Sequence, residues 1–423
     1  MNPVEYLDEE SVHERAAPIT EGLSFAYYIL WTGVITAGAC LLVMIFVGTV
    51  DPYRLFGMPD IEGFNRTKPV PGQYREQIKL AQAKALRPNT FLLGNSRIEV
   101  GFDPESPQLG KHGHATYNLA LAGTDLTVAQ RIVENLRSEA VSPSMAIIGV
   151  EFLDFLVKPP AAAGAPAMHD GWLSPLQWRF DTVFSMTALS EALRTVRLQS
   201  ASYPETMTRR GQTPLHEYNL HARREGYYSL FQQRAQENAL SLVRKRPTLY
   251  DVHGRSESIE SLRKVLRSMA ADGAEVHLVI YPYHAQLMAM FDEAGLQSVL
   301  EEWKYLLVSE VEAVQRLHPA ARITLWDFNG FGDVQCEPIP GPGDTRSDTR
   351  FYWEAGHFKS SVGELIQKRI LGGAGAFGVP LTMSNLEQNR QRIAAERANC
   401  AAEHAGMFAA ARTLIGAARA SSR

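Results

Sequence analysis

The stretch Thr90-Phe91-Leu92-Leu93-Gly94-Asn95-Ser96-Arg97 decides the fold class of this chain. Its apolar first half has the length of a buried strand, and the glycine ends that strand in a turn. Similar apolar runs follow at 115–119, 145–150, 276–281 and 323–326. Strands that are apolar on both faces are typical of a parallel sheet covered on both sides.

Helix-period segments separate these runs, for example at 127–139 and 256–271. Strands that alternate with helices predict an α/β domain, which we place at 90–380, with a parallel sheet between helical layers. We expect a leading helix within the preceding linker, 51–89, and a closing helix at 361–370.

Two further segments depart from this pattern. At about 157–250, Pro, Gly, aromatic and basic residues interrupt the alternation and predict an insertion on one edge of the domain or over its site. Segment 381–423 is rich in Ala, Arg and Glu and predicts a helical tail that is solvated or loosely docked, with a frayed end.

Residues 25–50 give the strongest single signal, because this apolar run contains no charged residue. It exceeds the roughly 20 residues that a helix needs to cross a bilayer. Tyr27, Tyr28 and Trp31 lie near its start, as aromatic residues do at the headgroup level. The alternative is a cleaved signal peptide, but its apolar region is shorter and its leader basic, whereas the 1–24 tail is acidic. We expect one transmembrane helix.

Composition argues against several partners and cofactors. With 42 basic and 46 acidic residues the net charge is −4, and no dense Lys/Arg stripe is present, so we expect no nucleic acid. His216 and His221 lack the i, i+4 spacing of a helical zinc site, and we expect neither a metal nor another cofactor. The cysteines form no CxxC pair, and a Cys336–Cys400 disulfide stays open in an oxidising compartment.

Ser96 is the first candidate for chemistry. It lies where a strand gives way to a turn, and ligands of doubly wound sheets bind outside the carboxyl ends of the strands. A serine hydroxyl can act there as a nucleophile if a base takes its proton. The alternative is that Ser96 only bonds turn amides, as serines commonly do.

Glu354 and His357 are the second candidate, within Tyr352-Trp353-Glu354-Ala355-Gly356-His357-Phe358. A carboxylate three residues before a histidine can hold the imidazole in the tautomer whose other nitrogen acts as a base. The alternative is an exposed pair of neighbours on a helix, which this spacing also produces.

A nucleophile after the first strand and an acid-x-x-His after the last together resemble the SGNH/GDSL hydrolase superfamily. Gly94-Asn95-Ser96 is similar to the family's first block, usually Gly-Asp-Ser, and Glu354-Ala355-Gly356-His357 to its last, usually Asp-x-x-His. Leu121-Ala122-Gly123 is similar to the second block. The resemblance implies that the amides of Ser96 and Gly123 form an oxyanion hole.

The resemblance covers about 91–371 without the insertion, and implies an SGNH-type, flavodoxin-like three-layer sandwich. The third block departs from the family, because Gly149-Val150-Glu151-Phe152 stands where Gly-x-Asn-Asp is usual. The family's asparagine oxyanion donor is therefore missing, since a carboxylate donates only when protonated. Either the insertion supplies another donor, or hydrolytic power is reduced.

Closer in pattern are membrane-tethered SGNH-like proteins associated with acyl transfer to extracellular polymers, similar to the alginate and cell-wall O-acetylation families. This resemblance implies a serine esterase or O-acyltransferase that acts on O-acetyl groups of a carbohydrate polymer at the cell envelope. The alternative is a catalytically inactive SGNH-like module that binds polysaccharide or a multi-spanning membrane acyltransferase.

Three further residues are expected to contact the substrate on this interpretation: Asn95, Arg97 and His284. Arg97 could bind a substrate carboxylate or pair with Asp103, and His284 could instead have a structural role.

The orientation of the transmembrane helix is subject to two opposing arguments. Four basic residues that follow it, Arg54, Arg66, Lys68 and Arg75, favour a cytoplasmic C-terminal domain by the positive-inside rule. The resemblance instead implies a single-pass protein of the inner (cytoplasmic) membrane, with its catalytic domain in the periplasm or exterior. We favour the second, because the short N-terminal tail offers few positive charges to count.

Overall fold

The computed structural model of the chain describes residues 19–111, 113–157, 174–245 and 247–421. The strands are β1 (Thr90–Leu93), β2 (Thr116–Asn118), β3 (Met145–Val150), β4 (Glu275–Ile280), β5 (Arg322–Asp327), β6 (Tyr352–Glu354), β7 (His357–Phe358) and β8 (Val379–Pro380). The helices of the first half are α1 (Ile19–Val50), α2 (Arg75–Leu86), α3 (Ser96–Gly101), α4 (Pro107–Lys111), α5 (Leu126–Ser138), α6 (Phe152–Phe155), α7 (Ser174–Asp181) and α8 (Met186–Leu198). Those of the second half are α9 (Tyr218–Arg244), α10 (Glu257–Ala271), α11 (Ala285–Ala294), α12 (Gln297–Leu317), α13 (Ser360–Ile370), α14 (Leu386–Glu403) and α15 (Ala405–Ser421).

A six-stranded sheet in the order β2-β1-β3-β4-β5-β8 forms the centre of the fold. Its first five strands are parallel, and β8 pairs with β5 in the antiparallel sense. Such an order places β2 on one side of β1 and the later strands on the other. Doubly wound sheets bind ligands outside the carboxyl ends of the strands at such a change of direction, which falls here between β1 and β3.

The predicted α/β class with a mostly parallel sheet is confirmed. All six residues of β3 are buried, and its Ile147 and Ile148 are each fully inaccessible although they point to opposite faces. Helices α2, α5, α10 and α12 contact one another in a row, while α13 contacts α3 and α4 in a second group. This arrangement is compatible with a three-layer sandwich.

Helix α1 is long and apolar enough at Phe25–Val50 to cross a membrane. Its side chains from Phe25 to Ala39 are exposed, whereas Val47 and Val50 are fully buried beside α8. Lys68 donates from Nζ to the Val50 carbonyl over 2.7 Å. The α/β domain is therefore packed directly on the C-terminal end of this helix.

Helices α7, α8 and α9 lie in the segment expected as an insertion, of which residues 158–173 fall outside the described residues. Helix α9 contacts β6, α11 and α15. Helix α9 of the insertion thus packs along the part of the domain that also holds the β6–β7 hairpin.

The expectation of a solvated or loosely docked tail is wrong for its described part, 381–421. Helix α15 packs against α9 and α11 through a buried stripe of Ala411, Ile415 and Ala418. Cys400 of α14 forms a disulfide with Cys336, with a Cα–Cα distance of 6.1 Å. The composition of the segment did not predict this packing, because alanine is only weakly apolar. Alanines at helical spacing nevertheless form a stripe of small residues on which another helix can pack closely.

Candidate active site

Ser96 is the first residue of α3, directly after the turn that ends β1. Asn95 caps this helix, because its Oδ1 accepts the Arg97 amide hydrogen at 3.1 Å. Gly94 has a φ of +147°, and a Cβ there would lie 2.8 Å from the Tyr281 hydroxyl oxygen. The Gly-Asn-Ser sequence therefore places the hydroxyl at the carboxyl end of β1.

His357 reaches this position from the β6–β7 hairpin. Gly101 of α3 makes the approach possible, since a Cβ there would lie only 2.0 Å from the ring of Phe358. A larger residue at 101 would push β7, and with it His357, away from Ser96. Two residues far apart in sequence thus meet because a glycine lets helix and hairpin touch.

Ser96, His357 and Glu354 form a continuous chain of hydrogen bonds. His357 Nε2 lies 2.8 Å from Ser96 Oγ, and His357 Nδ1 contacts Glu354 Oε1. The second oxygen of Glu354 accepts the Gly356 amide hydrogen at 2.7 Å. With Nδ1 donating to the carboxylate, Nε2 is the free acceptor for the serine proton.

Glu354 is ionised in this arrangement. Burial by itself would raise its pKa, but the electrostatic interaction with His357 and the hydrogen bonds from His357 and Gly356 hold the pKa below the usual glutamate value. Its side chain is 1% exposed and that of His357 is 21% exposed. A buried carboxylate thus orients an imidazole whose edge still meets solvent.

A cleft of about 280 Å³ opens beside the triad, and it is lined by residues of the sheet edge and the insertion. From the sheet edge and its flanks come Ser96, Ala122, His357, Val70, Arg75, Glu99 and Val100. The insertion contributes Glu205, Thr213, Leu215, Tyr218 and Arg234. The interrupted segment of the sequence therefore forms one wall of the cleft.

Gly123, the second expected oxyanion donor, follows Ala122 at the cleft and is exposed. Its φ of +75° lies in the left-handed region that glycine adopts without strain. The turn after β2 therefore requires a glycine at this position.

Arg97 and Glu151 form an ion pair at the carboxyl ends of β1 and β3. The guanidinium lies over the ring of Tyr283, 5.1 Å from its centroid, and the Tyr283 hydroxyl donates to Glu151 Oε1 at 2.8 Å. Asp103 instead accepts the amide hydrogen of Glu105. Glu151, the residue in the third block, thus serves as the partner of the arginine next to the nucleophile.

The other two residues expected to contact substrate lie as follows. His284 is fully buried, and its Nε2 bonds the Glu337 carbonyl at 2.8 Å while Nδ1 accepts the Gln286 amide hydrogen. Burial lowers the pKa of His284 to about 4, so the ring is neutral and both nitrogens are engaged. Asn95 is 8% exposed and uses its oxygen as the helix cap.

A buried ion pair next to the cleft was not predicted from the sequence. Lys79 of α2 and Glu99 of α3 lie 2.9 Å apart and are both almost completely buried. The one sequence feature that could have indicated Glu99 is its spacing, three residues after Ser96. The sequence of α2 contains no feature that indicates Lys79.

Within the described ranges, no group of three or more His, Cys, Asp or Glu side chains could hold a metal ion. Comparison with protein-family models, with curated proteins and with solved structures finds no match to this chain.

Proposed function

We propose that the chain is a membrane-anchored serine esterase or O-acyltransferase of the SGNH-like type. The observation that carries this proposal is the hydrogen-bonded order Ser96–His357–Glu354, which ends in a hydroxyl at an open cleft. Such an arrangement is what nucleophilic acyl transfer requires: a nucleophile, a base within hydrogen-bond reach, and an acid that orients the base.

In the first half of the reaction, Ser96 Oγ attacks the ester carbonyl carbon while His357 Nε2 takes the hydroxyl proton. The Ser96 and Gly123 amides donate to the oxyanion of the tetrahedral intermediate. When the intermediate collapses, the ester C–O bond breaks and His357 returns its proton to the leaving alkoxide. The products are an alcohol and an acyl group on Ser96.

In the second half, His357 takes a proton from an acceptor hydroxyl, which attacks the acyl-serine carbonyl. Collapse of the second intermediate breaks the bond to Ser96 Oγ, which recovers its proton from His357. Water as the acceptor gives hydrolysis, and a sugar hydroxyl gives transfer. The choice of an O-acetyl group on a cell-envelope or exported polysaccharide comes from the family resemblance.

An outward-facing domain, in the periplasm or exterior of a cell with α1 in its inner membrane, agrees with two observations. The Cys336–Cys400 disulfide belongs to oxidising compartments. The basic residues after α1 mostly have partners inside the fold, since Lys68 bonds the Val50 carbonyl and Arg75 pairs with Glu99. Because these two basic residues have structural roles in the fold, they are weaker evidence for a cytoplasmic domain under the positive-inside rule.

The test is hydrolysis of an activated acetyl ester by the full chain in detergent, compared with Ser96→Ala and His357→Ala. We expect each substitution to lower kcat by about 10³-fold or more, as for other serine triads. Equal turnover by all three proteins would contradict the proposal. Melting temperatures of the variants serve as the folding control.

A second candidate is a catalytically inactive SGNH-like module that binds polysaccharide or a multi-spanning acyltransferase in the membrane. The observation that favours it is Glu151, which takes the place of an oxyanion donor and pairs with Arg97. Binding of an acetylated polymer that survives Ser96→Ala, without any turnover in the wild type, would support this candidate.

Topology is tested separately with a reporter that is active only outside the cytoplasm, fused after Arg423. We expect it to be active. An inactive reporter, with an active cytoplasmic counterpart at the same position, would contradict an envelope substrate.

A further inference from the structure

Lys79 and Glu99 form a buried ion pair beside the cleft, and each side chain is only 1% exposed. Lys79 belongs to α2, and Glu99 follows Ser96 by one turn of α3. Withdrawing two charges from water costs free energy. Apolar side chains of similar volume at the same positions often make the folded protein at least as stable as a buried ion pair does. The packing of α2 against α3 therefore does not by itself explain why two charged residues lie here.

The other polar contacts of the pair converge on one short stretch of backbone. Lys79 Nζ donates to the Ala120 carbonyl, and Glu99 Oε2 accepts the Ala122 amide hydrogen at 2.8 Å. These groups belong to the two peptide units that flank Leu121. Leu121 in turn donates its own amide hydrogen to the Gly94 carbonyl at 3.2 Å. Segment 120–122 is thus held both by the pair and by the turn that precedes Ser96.

The held segment leads directly into Gly123. Ala122 lines the cleft together with Ser96 and His357. An amide donor that is already in place before the reaction stabilises the developing oxyanion without any rearrangement of the backbone. Displacing a catalytic group by a small distance greatly lowers the reaction rate. Whatever fixes 120–122 therefore also restrains the start of the peptide unit that carries the Gly123 amide hydrogen.

Glu99 remains ionised despite its burial. Burial opposes the charge, but Lys79 and Arg75 hold the pKa of Glu99 below its usual value. Arg75 Nη2 lies 2.7 Å from Glu99 Oε1, and Thr213 of the insertion donates to the same oxygen at 3.3 Å. The carboxylate is therefore a permanent acceptor for the Ala122 amide.

We propose that the Lys79–Glu99 pair positions the Gly123 amide as an oxyanion donor, acting through backbone segment 120–122. The inference rests on the proposed function, since an oxyanion donor acts only in acyl transfer. Lys79 and Glu99 are positioning residues that act through the backbone, and Gly123 is the group that meets the oxyanion.

The test variant is Lys79→Met/Glu99→Leu, which removes both charges of the buried pair; Arg75, which also pairs with Glu99, loses that partner but is 27% exposed. The milder Lys79→Met/Glu99→Gln keeps a polar side chain at 99 if the first variant folds poorly. The matched control is Lys304→Met/Asp327→Leu, because that pair is equally buried, 3.0 Å apart, and bonds none of the triad residues. All are made in the full chain and compared with the wild type and Ser96→Ala.

We expect the Lys79/Glu99 variants to lower kcat for an activated acetyl ester by about ten- to hundredfold, with little change in KM. Affinity for a trifluoromethyl ketone, which Ser96 Oγ adds to at the carbonyl carbon to give a hemiketal oxyanion, should fall by the same factor. Hydrogen exchange of the peptide that covers 119–124 should become faster. The Lys304/Asp327 control should leave all three unchanged.

Two results would overturn the inference. One is a folded Lys79/Glu99 variant whose kcat stays within about twofold of the wild type while Ser96→Ala is inactive. The other is a loss of kcat that the Lys304/Asp327 control shares, because the loss would then follow from stability alone. If Ser96→Ala equals the wild type, the proposed function itself fails, and this inference fails with it.

Discussion

Neighbouring residues of α3 begin two different polar clusters at the same edge of the sheet. The triad corner consists of Ser96, His357 and Glu354, and the arginine corner pairs Arg97 with Glu151. In the triad corner, a titratable ring stands between the buried carboxylate and the hydroxyl. In the arginine corner, two charges face each other directly, the guanidinium lies over the rings of Tyr281 and Tyr283, and the Tyr283 hydroxyl donates to the carboxylate.

The difference shows what the sheet edge does and does not provide. The carboxyl ends of β1 and β3 place both clusters in the crevice that doubly wound sheets use for ligands. The triad corner contains an imidazole whose Nε2 faces the serine hydroxyl at the cleft, so a proton acceptor lies beside a nucleophile there. The sheet edge therefore determines where a reaction could take place. The imidazole nitrogen that faces the serine determines which of the two corners is suited to it.

The largest effect is expected for Glu354→Gln. An amide at 354 favours the imidazole tautomer that cannot accept the serine proton, so we expect kcat for an activated acetyl ester to fall on the order of 10³–10⁴-fold. Steady-state kinetics of the full chain provide the measurement.

Glu337→Gln is the matched control for that prediction. Glu337 is also a nearly buried glutamate, and it accepts amide hydrogens from Phe351 and Tyr352 at the base of the same hairpin. Its carboxylate bonds the amides of residues 350–352 and neither Ser96 nor His357, so the kcat of this variant should stay close to that of the wild type. Similar losses in both variants would show that Glu354 acts only by holding the hairpin.

The sequence predicted the frame of the triad corner because local patterns specify it. The apolar run at 90–93 forms β1 as expected, and Gly94 provides the backbone conformation that the turn needs. The pairing of His357 with Glu354 is a contact between residues three apart, which the sequence spacing can indicate. Even there, the approach of the hairpin to α3 depends on Gly101, which no pattern had marked.

The arginine corner and the Lys79–Glu99 pair could not be predicted in the same way. Arg97 was assigned either to a substrate carboxylate or to Asp103, a near neighbour in sequence, but it pairs with Glu151 from another strand. Glu99 likewise finds Lys79 on α2. Ion pairs between elements depend on strand order and side-chain direction, and neither is encoded in the spacing of charges along one segment.

The second prediction concerns the arginine corner. Arg97→Met leaves Glu151 buried without its cation, and we expect the free energy of unfolding to fall by about 3–5 kcal/mol. The double variant Arg97→Met/Glu151→Gln, which removes both charges, should recover most of that loss. Denaturant unfolding of the wild type and both variants measures it. An equal loss in the single and double variants would mean that packing of the arginine stem, and not its charge, stabilises the corner.

The smallest expected effect concerns Asp154, which lies near the arginine corner. Its Oδ2 is 3.5 Å from Asn95 Nδ2, in the residue before the nucleophile. Burial, followed by the nearby charge of Glu151, raises the pKa of Asp154 to about 7. The folded protein therefore keeps a proton on this carboxyl at pH values where the unfolded chain has already lost it.

The sign of the resulting pH dependence follows from proton linkage. Between about pH 4 and pH 7 the folded state binds more protons at Asp154 than the unfolded state, so this group lowers the stability as the pH rises.

Asp154→Asn removes that dependence. Relative to the wild type, we expect the variant to gain at least about 1.4 kcal/mol between pH 4 and pH 8, the equivalent of one pKa unit. Denaturant unfolding at both pH values measures the gain, and a difference between the proteins that does not change with pH would show that Asp154 does not titrate in this range. The charge of Glu151 raises the pKa of Asp154 and that of Arg97 lowers it by less, so the pH dependence should shrink only in part in Arg97→Met/Glu151→Gln, which would connect the titration of Asp154 to the arginine corner.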